Sequence, residues 1–160
     1  MVEMHLVGVR VEMPTNSPIV LLREADGQHR VLPIFIGAVE ATAIAFALQG
    51  VETPRPMTHD LMRDLLVSLG VAVERVVITE LRDRTFFAEI ELTSSGSGTT
   101  ISSRPSDAIA LAARLGTPIY AQESVLEEAG VPVSDDDEEE LEVERFREFL
   151  EGVNPEDFAS

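Results

Sequence analysis

The chain has no cysteine, no lysine and no tryptophan among its 160 residues, and it has a single tyrosine. Without cysteine it cannot form disulfides or a zinc site with thiolate ligands. With aromatic residues at only 5%, it offers few rings on which nucleic-acid bases stack. No apolar run is long enough to cross a bilayer, and the first residues lack the basic and apolar regions of a secretory signal. We therefore expect a cytoplasmic protein without a membrane partner.

Positive charge is scarce, and every basic side chain is an arginine. The 12 arginines are set against 29 acidic residues, which gives a formal net charge of -17. A field of this sign repels polyphosphates and argues against a protein that coats nucleic acid. It is compatible with an enzyme that gathers arginines in a local cleft or recruits a divalent cation.

The acidic residues are concentrated at the end of the chain, which divides the sequence into two parts. Residues 1–133 have the length and apolar content of one domain with its own core. Residues 134–160 open with an acidic run and continue with apolar residues at helical spacing: Phe146, Phe149, Leu150 and Val153. We expect an acidic linker followed by an amphipathic helix that docks on the domain, on a second subunit or on a protein partner.

Apolar patterning predicts an α+β fold with a mixed or antiparallel sheet. Apolar runs and alternations predict strands at residues 2–13, 18–24, 29–36, 71–80, 85–94, 100–103 and 118–121. Helical spacing with glycine stops predicts helices at residues 38–49, 58–69 and 106–115. The Ser/Gly-rich residues 94–100 are expected to form a mobile loop.

Two of the predicted helices are rich in alanine and are expected to be buried. The first is apolar on all sides, with Glu40 as its only charged residue. Its segment Ala43–Ala47 is similar to Ala108–Ala112 in the third helix, and each helix follows strands and ends at a glycine. This similarity indicates a duplicated strand–helix unit. In the second helix the apolar residues share one predicted face: Leu61, Met62, Leu65, Leu66 and Leu69.

An Arg-Pro pair occurs twice, each time directly before a predicted helix that carries an aspartate near its start. The arginines are Arg55 and Arg104, and the aspartates are Asp60 and Asp107. The open N–H groups and partial positive charge of a helix start attract anions, and a guanidinium just before it fits a carboxylate or a phosphate. The motif therefore indicates either a phosphate site or internal pairs between each arginine and a neighbouring acid.

Several separate blocks of the sequence resemble the bifunctional nuclease family and occur in the family's order. They are Leu32–Gly37 with Glu40-Ala41, Arg55-Pro56 with Thr58–Leu61, and Arg104–Ala110. The resemblance covers residues 1–133. It implies an α+β domain with a duplicated strand–helix motif, self-association, and RNase or DNase activity.

Two positions depart from the pattern of the family that the chain resembles. Arg84 stands in a predicted hairpin where the family usually has glycine, so a different turn geometry is expected. Ser102 stands where the family often has an acid, two residues before Arg104. If that acid helps to bind a metal, this chain lacks one ligand.

The chemistry implied by the resemblance suggests a role for each candidate residue. Phosphodiester cleavage requires an activated water or hydroxyl, neutralisation of the phosphoryl charge and protonation of the leaving oxygen. Arg55 and Arg104 are the candidate phosphate-binding residues. The candidate catalytic residues are Glu40, His59, Asp60 and Asp107. The three carboxylates are candidate ligands for Mg²⁺ or Mn²⁺, and the histidine is the candidate general base or acid.

Structural roles remain open for the same residues. Glu40 on an apolar helix is also explained as a buried acid that pairs with Arg55 or Arg104. His59 at a helix start also fits an exposed or capping position. No spacing in the chain matches a zinc site, a P-loop or a nucleophile elbow.

Two functional interpretations follow from these observations. The leading one is a cytoplasmic homodimer that hydrolyses phosphodiester bonds of RNA or DNA with help from Mg²⁺ or Mn²⁺. The alternative is a non-catalytic homodimeric domain that binds proteins or a small anionic ligand, with arginine–carboxylate pairs that only hold the fold. The multi-block resemblance favours the nuclease. The acidity, the loss of an acid at Ser102 and the few aromatic residues favour the non-catalytic domain.

Overall fold

The computed structural model describes residues 1–132, which form seven strands and four helices. The strands are β1 (Val2–Glu12), β2 (Ser17–Glu24), β3 (Val31–Phe35), β4 (Ala72–Arg82), β5 (Thr85–Ser94), β6 (Ser97–Ser103) and β7 (Ile119–Ala121). The helices are α1 (Ala38–Gln49), α2 (Thr58–Ser68), α3 (Pro105–Leu115) and α4 (Glu123–Ala129). Sequence patterns predict all of these elements except α4. The predicted acidic linker and amphipathic helix, residues 134–160, lie outside the described residues.

The seven strands form one mixed sheet in the order β3-β2-β1-β7-β4-β5-β6. All neighbouring strands are antiparallel except β4 and β7, which are parallel. The short strand β7 joins the two halves of the sheet, because it lies between β1 and β4. This arrangement confirms the predicted α+β class with a mixed sheet.

Each half of the sheet is an antiparallel meander of three strands followed by a helix. Strands β1 to β3 lead into α1, and strands β4 to β6 lead into α3. The similar alanine-rich segments lie in these two helices, so the architecture contains the duplicated strand–helix unit. The two Arg-Pro pairs are not equivalent within it, because Arg55 precedes α2 whereas Arg104 precedes α3.

The alanine-rich helices α1 and α3 pack against each other within the main apolar core. Ala41 of α1 and Ala108 of α3 are fully buried. Methyl side chains let the two helices approach closely, and alanine at the same time favours the helical conformation. The outer face of α1 exposes Val39 and Leu48. Helix α1 is therefore buried on one side only, although its uniformly apolar sequence predicts burial on all sides.

The face with which helix α2 packs on the core is narrower than the apolar face predicted from its leucines. The residues that face the core are His59, Met62 and Leu66, at positions i, i+3 and i+7. Leu61 and Leu65 lie beside this face and are exposed. The predicted single apolar face is therefore divided between the core and the solvent.

Two tight hairpins connect the strands of the second meander. The β5–β6 turn consists of Ser95 and Gly96, with φ of 50° and 81°, and the β4–β5 turn consists of Asp83 and Arg84, with φ of 51° and 65°. Two successive residues with positive φ form the turn that fits the twist of a two-residue hairpin. The prediction of a mobile loop at residues 94–100 is therefore wrong, because most of these residues belong to strand β6. Arg84 also adopts the positive-φ turn geometry that glycine favours, so the different turn geometry expected at this position is not found.

The helices of the described region are short. None of the helices within residues 1–132 has the length and apolar character that spanning a membrane requires.

Candidate active site

The start of α3 gathers the charged residues of the second Arg-Pro motif. Pro105 is the first helical residue, where its missing N–H costs no hydrogen bond. Arg104 is the N-cap residue with an extended backbone, and Asp107 lies in the first turn. This local geometry brings the Arg104 and Asp107 side chains to the same end of the helix.

The Arg104 guanidinium binds two carboxylates from different parts of the chain. Its Nε donates to Asp107 Oδ2 at 2.8 Å, and its Nη2 donates to Asp107 Oδ1 at 3.2 Å and to Glu40 Oε1 at 3.0 Å. Nη1 makes no hydrogen bond within residues 1–132, and the Arg104 side chain is 65% exposed. The guanidinium is thus held in place while two of its N–H groups remain available for an anion.

Glu40 reaches Arg104 from the first turn of α1 by folding over Gly37. A Cβ atom at position 37 would lie 2.3 Å from Glu40 Oε2, so any residue other than glycine would displace this carboxylate. The predicted pairing of Glu40 with an arginine is confirmed, and its partner is Arg104.

His59 contacts the carboxylate of Asp107 that also binds Arg104. His59 Nε2 lies 2.8 Å from Asp107 Oδ1, and the residue is only 5% exposed. An exposed or capping position for His59 is therefore wrong, because α2 docks on the core through this ring. Glu40, Arg104, Asp107 and His59 form one connected group, the Asp107 network, which joins α1, α2 and α3.

The Asp107 network stabilises the charged forms of its central pair. Burial raises the pKa of Asp107, but the hydrogen bonds from Arg104 and His59 outweigh it and hold that pKa below its ordinary value. The hydrogen bond to Asp107, followed by its charge and by Glu40, raises the pKa of Arg104. The carboxylate and the guanidinium are therefore both charged at neutral pH.

Asp60 lies outside the Asp107 network and pairs with a different arginine. Its Oδ1 accepts a hydrogen bond from Arg114 Nε at 2.6 Å, and its Oδ2 accepts one from the Met57 backbone N–H at 3.0 Å. Burial raises the pKa of Asp60, but these hydrogen bonds outweigh it and the pKa is lowered. The Arg114 side chain is 5% exposed and also donates to the Ala110 carbonyl at 3.0 Å. This pair ties the start of α2 to the end of α3.

Arg55 lies outside both groups. Its side chain is exposed and makes no hydrogen bond or ion pair within residues 1–132. The structure thus brings together four of the six residues that the sequence indicated for a site, and it separates Arg55 and Asp60 from them. The separation arises because the first Arg-Pro pair lies between α1 and α2, outside the repeated unit.

Sequence reasoning missed Arg114 and the surroundings of Arg104. Arg114 had a signal, since it lies seven residues after Asp107 in a helix that is otherwise mostly alanine, isoleucine and leucine. A cleft of about 500 Å³ opens beside Arg104 and is also lined by Arg84 and Phe35. No local pattern connects these residues, because they come from β3, the β4–β5 turn and α3.

The predicted metal ligands do not form a site for Mg²⁺ or Mn²⁺. Within residues 1–132 no group of three histidine or acidic side chains is placed to hold one ion. Glu40 and Asp107 both bind Arg104, whereas Asp60 binds Arg114. Mg²⁺ requires a near-octahedral set of oxygen ligands, so these three carboxylates do not fit the ion in this geometry.

Comparison with known protein families identifies the domain. The chain matches the family model described as "Bifunctional nuclease domain" over residues 20–134, which is more than half of its length. The chain belongs to the bifunctional nuclease domain family. The match includes α1, α2 and α3, and therefore the whole Asp107 network.

Relatives of this bifunctional nuclease domain occur in bacteria and plants. An uncharacterized protein of Mycobacterium tuberculosis strain H37Rv is 48% identical over 163 residues, which cover 98% of this chain and 97% of that protein. "Bifunctional nuclease 2" of Oryza sativa subsp. japonica is 30% identical over 127 residues, or 78% of this chain and 39% of the plant protein. "Bifunctional nuclease 2" of Arabidopsis thaliana is 28% identical over 128 residues, with coverage of 77% and 39%. The chain thus spans about two fifths of these plant proteins.

We predict that the two arginines of α3 differ sharply in their effect on stability. Arg114→Gln leaves the carboxylate of Asp60 without its buried partner, so we expect it to lower the free energy of unfolding by about 2 kcal/mol or more. The matched variant Arg104→Gln removes a guanidinium that is 65% exposed and leaves the His59 contact to Asp107 in place, so we expect a smaller loss of about 1 kcal/mol. Urea unfolding followed by circular dichroism measures both. Equal losses would contradict the structural role of Arg114.

We also predict that acid destabilises the domain through Asp60 and Asp107. Their folded-state pKa values lie below the value of about 3.9 for an unfolded aspartate. Their stabilising contribution is therefore complete at neutral pH and is lost as the pH falls below about 4, through the lowered folded values. Urea unfolding at several pH values measures this loss, and Asp60→Asn is expected to show a smaller loss than the wild type. An identical pH dependence in this variant would contradict the assignment.

Proposed function

We propose that this member of the family is a cytoplasmic nuclease that hydrolyses phosphodiester bonds of RNA or DNA. The observation that carries the proposal is the Asp107 network, in which an exposed guanidinium is held between two carboxylates at the edge of a cleft. Membership of the bifunctional nuclease domain family, and the names of the plant relatives, support the same activity.

In the proposed reaction Arg104 binds the scissile phosphate. The N–H groups of Nη1 donate to the phosphoryl oxygens, and the fixed positive charge stabilises the negative charge that develops during attack. Asp107 and Glu40 already hold the guanidinium in place, which reduces the reorganisation that the reaction requires. Arg104 therefore supplies positioning and charge stabilisation together.

One carboxylate of the network is the proposed proton acceptor for the attacking water. Arg104 uses only Oε1 of Glu40, so we assign the role of general base to this carboxylate. The leaving oxygen takes its proton from solvent water at this open site. His59 is buried and contacts Asp107, so we propose that it positions Asp107 and exchanges no proton with the substrate.

A second candidate function is a non-catalytic domain that binds a protein or a small anionic ligand. One observation favours it specifically: each of Glu40, Asp60 and Asp107 is paired with an arginine, as in a network that serves the fold alone. In this case Arg104 binds an anion without cleavage.

The nuclease proposal predicts that Arg104→Gln loses cleavage without unfolding. We expect its rate on labelled single-stranded RNA and DNA to fall about 100-fold, since a preorganised donor to the developing charge is lost. The matched control is Arg63→Gln, which removes an arginine whose one ion pair within residues 1–132 is with Asp64 on α2. Melting temperatures of all three proteins verify folding. Equal cleavage by the wild type and Arg104→Gln would point to a contaminating nuclease, and no cleavage by the wild type would favour the non-catalytic domain.

The same assay tests the metal dependence that the sequence suggested and that the placement of the three carboxylates does not support. Cleavage is measured with each ion and with excess chelator. We expect activity to survive the chelator, because the proposed general base acts without a metal, and activity that requires the ion would contradict this metal-free assignment.

We propose that the domain forms a homodimer through α2. Its exposed side carries an apolar stripe at positions i, i+4 and i+8: Leu61, Leu65 and Leu69. A continuous apolar stripe on a solvated helix favours burial against a second copy.

Light scattering is expected to give about twice the chain mass of 17.5 kDa, and Leu65→Glu is expected to give the monomer mass. Ile101→Glu, at an exposed apolar position on β6, is the control that leaves the dimer intact. A wild-type mass of one chain would refute the dimer.

A further inference from the structure

The cleft beside Arg104 is lined by basic side chains in an otherwise acidic protein. Two arginines line it, Arg84 and Arg104, and none of the described residues that line it is acidic. The net charge of the whole chain is -17. The Arg104 guanidinium is paired with two carboxylates, whereas Arg84 makes no ion pair within residues 1–132, so the cleft keeps one uncompensated positive charge that attracts anions.

Arg84, which lines this cleft, has an unfavourable backbone conformation. It is the second residue of the β4–β5 turn, with φ of 65°, a region that non-glycine residues rarely occupy. Its side chain is exposed and makes no ion pair or hydrogen bond within residues 1–132. Glycine would fit the turn without strain, and strained positions of this kind cluster at ligand sites. Neither packing nor pairing within residues 1–132 accounts for an arginine at this position, and an anion in the cleft would give its guanidinium a partner.

The cleft also contains an exposed aromatic ring. Phe35, at the end of β3, is 63% exposed, and Phe86 of β5 lines the same cleft while packing partly against the core. Rings beside guanidinium groups match the two parts of a nucleotide, because bases stack on aromatic faces and phosphates bind arginines. The volume of about 500 Å³ lies within the range of sites for small organic ligands.

We propose that this cleft binds single-stranded nucleic acid, with Arg84 as a second phosphate-binding residue and Phe35 as the platform for a base. The inference rests on the proposed nuclease function and names the form of its substrate. In a duplex the base faces are covered by their neighbours, so only an unpaired strand can present a base to Phe35. One phosphate at Arg104 and a second at Arg84 then set the path of the strand through the cleft.

Binding of a short fluorescein-labelled oligothymidylate, followed by fluorescence anisotropy with the full chain, tests the proposal. Arg84→Gly is the key variant, because glycine suits the turn and the fold is expected to be retained. We expect its affinity to fall about fivefold, and the slope of log affinity against log salt to decrease by about 0.7, the value for one phosphate contact to a single strand. Phe35→Ala is expected to weaken binding at least about fivefold through loss of one stack. A duplex of the same length is expected to bind more weakly than the single strand.

Arg82→Gln is the matched control for Arg84. It changes the same charge in the same hairpin, but Arg82 stacks over Phe87, pairs with Glu80 and does not line the cleft. Equal affinities of wild type and Arg84→Gly, or an equal loss in Arg82→Gln, would overturn the proposal. So would tighter binding of the duplex. Binding is read separately from cleavage, so a wild type that binds the strand without cutting it would refute the nuclease and keep this inference.

Discussion

The Asp107 carboxylate connects three helices that are far apart in sequence. It accepts hydrogen bonds from Arg104 at the start of α3 and lies against the ring of His59 on α2, while Arg104 extends the connection to Glu40 on α1. A partly buried charge is tolerated only where it is paired and hydrogen-bonded. The position of Asp107 therefore constrains how the three helices meet, and it places the one exposed guanidinium of the network beside the cleft.

The two arginines at the start and end of α3 have different roles because one is exposed and the other is buried. Arg114 and Arg104 lie in or next to the same helix, and each binds an aspartate near a helix start. The Arg114 side chain is buried and uses its donors within the protein, so removing it would leave the Asp60 carboxylate without its charged partner. Arg104 is exposed and keeps two N–H groups available, so its pairs hold it ready for an anion. The buried ion pair therefore stabilises the fold, whereas the exposed pairs hold a guanidinium in position for an anion.

The candidate site combines features of both copies of the duplicated unit without being symmetric. The first copy supplies Phe35, Gly37 and Glu40 from the β3–α1 connection, and the second supplies Arg104 and the hairpin that carries Arg84. The short strand β7 holds the two meanders in one sheet. The equivalent helices α1 and α3 pack against each other, and the charged residues at their starts meet where Arg104 binds Glu40.

The fold was largely predictable, and so was the pairing of Glu40 with an arginine. The alanine-rich helices and the order of strands and helices followed from local periodicity and glycine stops. The β5–β6 hairpin was missed because serine and glycine suit a flexible loop as well as a turn, and the difference depends on pairing between β5 and β6. Helix α4 was missed because a segment of seven residues carries little periodicity.

The sequence by itself determined the element types, the duplicated unit and the residues with the chemistry for phosphate, because period, capping and charge are properties of neighbouring positions. Only the tertiary structure decided which arginine each acid binds, that His59 is buried, and that Arg84 and Phe35 share a cleft with Arg104. Those outcomes depend on the distances between side chains from separate elements and on their access to water. Such distances are fixed by how the helices pack over the sheet, which local patterns do not encode.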